Sequence, residues 1–137
     1  MNLFSPWILL LIIAGLILFF GLYILFYRKQ RLQSADIRYL QKHWKEAQDL
    51  VSEHPDKAVL KADKLLDFAL KKAGFEGSLG EKMKAAKAVF RDNNAVWSAH
   101  KLRNRIAHEI DIKVSTQQAN TALKGFKKAF ADLGVSL

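Results

Sequence analysis

Two residue types able to do acid–base and electrostatic chemistry stand close together in one stretch of this sequence. Arg103-Asn104-Arg105-Ile106-Ala107-His108 places an always-charged guanidinium five positions before a titratable imidazole. An imidazole can move protons near neutral pH, and a guanidinium can stabilise charge growing on a phosphate. Ala95, Ala99, Leu102 and Ile106 recur at helical spacing, so Trp97 to Glu109 reads as the polar side of an amphipathic helix. On that side His100, Asn104 and His108 follow one another at i, i+4 and i+8, where Lys, Glu or Gln would be better helix formers. The spacing also sets a difficulty: on a straight helix five residues turn Arg103 and His108 apart by roughly 140°. Either the helix widens locally towards i,i+5 spacing, or a second subunit supplies one member of the pair.

Structural readings stand beside this one. Arg105 and Glu109 form an i,i+4 ion pair, His108 suits a solvated helix end by its interaction with the dipole, and the setting of His100 also reads as support. No metal is expected. The chain has no cysteine and no HExxH set, His43 and His54 have no partner at ligand spacing, and His100 and His108 are about 12 Å apart along one helix. No cofactor is expected either, since Gly74, Gly77 and Gly80 fall where helices are capped and follow no strand.

The elements that position the stretch divide the 137 residues into two unlike parts, 1–31 and 32–137. From Met1 to Tyr27 no side chain is charged, while all 22 Lys and Arg and all 13 Asp and Glu lie beyond, giving that portion the whole net charge of +9. Trp7 to Tyr27 is an apolar run interrupted only by Gly15 and Gly21, and as a helix it spans a hydrocarbon core of about 30 Å. Its length, and the absence of a basic residue before it or a small-residue cleavage site after it, favour an anchor over a signal peptide. Trp7, Tyr23 and Tyr27 suit the two interfaces, and Arg28, Lys29 and Arg31 predict a single-pass membrane protein with its C-terminal domain in the cytoplasm. A basic domain there favours a polyanionic partner, nucleic acid or anionic lipid.

Periodicity then predicts five helices: about Ala35 to Glu53 with Ser34 as cap; from Pro55 to Gly74; from the Ser78/Glu81 capping box through Met83, Ala86 and Phe90; the helix of the Arg103 stretch; and a last one capped by Ser115 and Gln118. Ile110 to Val114 reads as an extended connection. The fold class is therefore all-α, one transmembrane helix followed by a small antiparallel helical bundle.

Arg103-Asn104 with His108, late in such a bundle, resembles the Arg-x4-6-His signature of HEPN domains, and Ala62-Asp63-Lys64-Leu65-Leu66-Asp67 resembles the family's early core helix. The resemblance covers about residues 35–137 and leaves out the anchor. It implies a homodimeric, metal-independent endoribonuclease acting on RNA, with Arg103 and His108 of two subunits facing a shared cleft as catalytic residues and Asn104 assisting. Asn104, Arg105 and His100 are the residues expected to hold substrate, Arg105 by attraction to phosphate. Beside the lipid bilayer, RNA and a second copy, it leaves room for an inhibitory antitoxin or another protein partner. The alternatives are a catalytically silent HEPN-like module that binds RNA, a nucleotide or a protein, and a structural anchor whose basic face meets anionic lipid.

Overall fold

An apolar run without a charged side chain has no internal reason to break. A computed structural model of the chain, which describes residues 5–26 and 31–137, forms it into one helix, α1 (Pro6–Phe26). Its Pro6–Tyr23 window has a mean hydropathy of 2.4 and is exposed throughout, which fits a membrane anchor or a signal sequence. Tyr27, Arg28 and Lys29 lie outside the described residues, and Arg31 is exposed. Among the described residues the rest is helical, without strands: α2 (Ser34–Asp49), α3 (Pro55–Lys72), α4 (Leu79–Ala85), α5 (Asn93–His108) and α6 (Thr116–Asp132).

Local chemistry sets the boundaries. The Gln33 N–H donates to the Asp36 carboxylate at 3.2 Å, so the cap of α2 falls one residue before Ser34. Pro55 opens α3, where its missing N–H has no intrahelical acceptor to lose. Ser78 with Glu81 and Ser115 with Gln118 form reciprocal capping boxes that start α4 and α6. Gly74 and Gly134 end α3 and α6 at φ 92° and 83°, a backbone region that a β-carbon disfavours. The helix expected to run to Phe90 stops at Ala85, because the Asn93 amide turns back to donate to the carbonyls of Lys87 and Phe90 and so supports a non-helical turn. Asp92 then caps α5 by accepting from the Ala95 N–H at 3.0 Å. Ile110 to Val114 is an irregular connection with Asp111 at φ 61°.

The bundle is built around α3, which packs against α2, α4, α5 and α6. Leu66 and Leu70 of α3 are wholly buried with Leu40, Phe126 and Phe130, and the Trp44 ring meets Phe130 edge-on at 5.5 Å. Small residues let the helices approach. Ala58, Ala62, Ala69, Ala119 and Ala129 are buried, and a β-carbon on Gly125 would stand 2.6 Å from the Ala95 carbonyl oxygen. That close approach of α5 to α6 is reinforced where Lys128 meets the Asp92 carboxylate at 2.8 Å and Arg91 meets Asp132 at 2.6 Å. Lys128 first, and then the Ala95 N–H, hold the Asp92 carboxyl below its usual range. The start of α5 is thereby pinned to α6, and its polar side is turned towards α3.

Candidate functional site

That polar side meets one acid. Asp63 sits on α3 between the core residues Val59 and Leu66 and is only 2% exposed, so its charge needs partners. They come from α5. His100 Nδ1 lies 2.8 Å from Asp63 Oδ1, and Arg103 Nε lies 3.1 Å from Oδ2. The Nε–H is not aligned for a hydrogen bond, so the second contact is an ionic attraction.

Two further bonds close a ring. Arg103 Nη1 donates to Asn104 Oδ1 at 3.0 Å, and Asn104 Nδ2 stands 3.3 Å from His100 Nε2. Because a carboxylate only accepts and an amide nitrogen only donates, the ring has a consistent polarity with the imidazole proton on Nδ1. Trp97 backs the imidazole edge-on at 5.9 Å. The i, i+4 placing of His100 and Asn104 therefore has a structural cause: one turn of α5 presents two links of a network closed by Asp63.

The network opens on one side. Asp63, Lys64, Ser78, His100, Arg103 and Asn104 line a cleft of about 540 Å³ between α3, the start of α4 and α5. Arg103 keeps about a third of its side chain exposed there, and Lys64 adds a second cation. Asp67, which also lines the cleft, is paired with the buried Lys82 at 2.7 Å. A guanidinium held from behind by a carboxylate, facing solvent with its free N–H groups, can bind the oxygens of a phosphate.

His108 is elsewhere. It closes α5, is exposed, and makes no hydrogen bond or ion pair among the described residues. The helix is regular from Asn93 to His108, without the wider turn that would bring it under Arg103. Arg105 is exposed and donates from Nε and Nη2 to the two carboxylate oxygens of Glu109, at 2.8 and 3.1 Å. The pair raises the Arg105 pKa and holds the Glu109 carboxyl below its ordinary range. Of the sequence-derived residues, one chain thus brings together His100, Arg103 and Asn104 and leaves Arg105 and His108 apart from them.

Asp63 is the member that spacing on α5 could not disclose, since it is 37 residues from His100. A signal was present: Val59, Asp63, Leu66 and Leu70 fall in one helical stripe, and an acid inside an apolar stripe needs a buried partner. Among the described residues no group of three or more His, Asp or Glu side chains could hold a metal ion. Comparison of the chain with protein-family models, with curated proteins and with solved structures finds no match.

Proposed function

We propose that this chain is a single-pass membrane protein whose cytoplasmic helical domain is HEPN-like and acts on RNA, cutting it without a metal where two copies meet along α5. The observation that carries the reading is the pair of side chains on α5: Arg103, fixed from behind by Asp63 and open to a cleft, and His108, exposed and uncommitted. The net charge of +9, all of it beyond α1, supports a polyanionic substrate. In the reaction the ribose 2′-oxygen attacks the adjacent phosphorus as its proton passes to an imidazole. The P–O5′ bond breaks, and the leaving 5′-oxygen takes a proton from water. Arg103 stabilises the charge that builds on the non-bridging oxygens. Products are a 2′,3′-cyclic phosphate and a 5′-hydroxyl.

The test is incubation of the purified full chain, in mild detergent, with end-labelled RNA and excess EDTA. Cyclic-phosphate ends should form, and His108→Ala, which removes an exposed side chain, should slow cleavage by a factor on the order of 10² with the fold unchanged. A second reading has its own support. The internal pairing of Arg103 with Asp63 and the rotation of His108 away from it suit a silent RNA-binding module. RNA bound but uncut at every pH from about 6 to 8, where an imidazole titrates, would select that module.

A further inference from the structure

A second cavity lies on the opposite flank of Lys64. It measures about 510 Å³ between α2 and α3, within the range of small-ligand sites, and Tyr39, His43, Lys57, Lys61, Lys64 and Phe68 line it. Its chemistry is of two kinds. Three rings cluster on one wall: Tyr39 stands 4.3 Å from His43 and 4.8 Å from Phe68, yet keeps 46% of its surface exposed. The other wall is a row of lysines at i, i+4 and i+7 on one face of α3. Lys61 is committed to Glu46, a carboxylate that Lys61 and His43 together hold down at about 2. Lys57 and Lys64 have no ion pair among the described residues. An aromatic platform beside uncommitted cations is complementary to a ligand that is both planar and anionic.

We propose that this α2–α3 groove stacks a base of single-stranded nucleic acid on Tyr39, with the flanking phosphates on Lys57 and Lys64. Lys64 lines both this groove and the Arg103 cleft, so one strand can run from the platform over α3 to α5. The proposal extends the RNA reading to a second site, and its test does not depend on cleavage.

The probe is a labelled 12-nucleotide oligodeoxyadenylate, which lacks the 2′-hydroxyl that the cutting reaction needs, compared with a strand of equal length and charge made wholly of abasic units. Fluorescence anisotropy with the full chain should show the base-bearing strand binding roughly tenfold tighter. Tyr39→Leu should abolish that advantage and Tyr39→Phe should keep it. Lys57→Gln with Lys64→Gln should weaken both strands alike and flatten the salt dependence. Ultraviolet crosslinking of a bromodeoxyuridine strand to the unaltered chain reads the same contact without a variant, and should mark Tyr39. Equal affinity for the two strands, an advantage that survives Tyr39→Leu, or crosslinks only at other residues would overturn the proposal. Displacement of the strand by phosphatidylserine vesicles as readily as by unlabelled oligodeoxyadenylate would assign the groove to lipid and overturn it too.

Discussion

At Arg103, α5 meets a buried carboxylate from α3 and binds into a ring of four side chains. At His108, about 7.5 Å further along the same helix, it offers an exposed imidazole with no partner among the described residues. The first end is fixed by the fold and the second is free of it. A cation held from behind meets its ligand already oriented, whereas a free imidazole at a helix end takes its geometry from whatever docks there. The difference accounts for the way one regular helix can carry both residues without forming a site alone.

Loss of Asp63, the carboxylate that holds Arg103 from behind, should have the largest effect. Asp63→Ala leaves Arg103 and His100 facing an apolar stripe without their acceptor. It should destabilise the bundle by about 3 kcal/mol, the low end of the range for a broken buried pair because Arg103 remains part-exposed. Chemical denaturation followed by tryptophan fluorescence measures it, and a loss near zero would mean that the ring does not fix Arg103. The α5–α6 contact comes next. Gly125→Ala drives a methyl group into the Ala95 carbonyl and should cost about 1–3 kcal/mol, shifting α5 as a unit.

The free end should respond least, and to acid. Glu109 has its pKa lowered by Arg105, so the pair's contribution is present above the ordinary 4.5 and is lost as pH falls through the lowered value. Amide-exchange protection at Arg105 to Glu109, taken relative to the intrinsic exchange rate at each pH, should therefore fall below pH 4.5, with little change in global stability because the pair is exposed. The Glu109→Gln variant should show no such step.

The parts of the fold that were legible in the sequence are those governed by neighbours. Pro55, Gly74, Gly134 and the Ser78 and Ser115 boxes act within one turn, so their meaning is local and they stand where expected. The end of α4 was not legible, because the Asn93 amide decides it by reaching back past Phe90. The site divides in the same way. Spacing set His100, Asn104 and His108 on one face of α5 and paired Arg103 with His108, whereas the structure gathers Arg103, Asn104 and His100 and leaves His108 out, because Asp63 ties to them once α3 and α5 pack. Tyr39 and Lys64 line one groove from two helices, and no short-range pattern joins them.

If Arg103 and His108 act together only across two chains, as we propose, two inactive variants should complement each other. Arg103→Ala and His108→Ala chains, each expressed and purified alone and also purified together after co-expression in one membrane, would be assayed on the same labelled RNA with EDTA. Neither variant alone should cleave and the mixture should recover cleavage, because a mixed pair joins the intact Arg103 of one chain to the intact His108 of the other. A mixture as inert as its parts, beside an active wild-type chain, would contradict it.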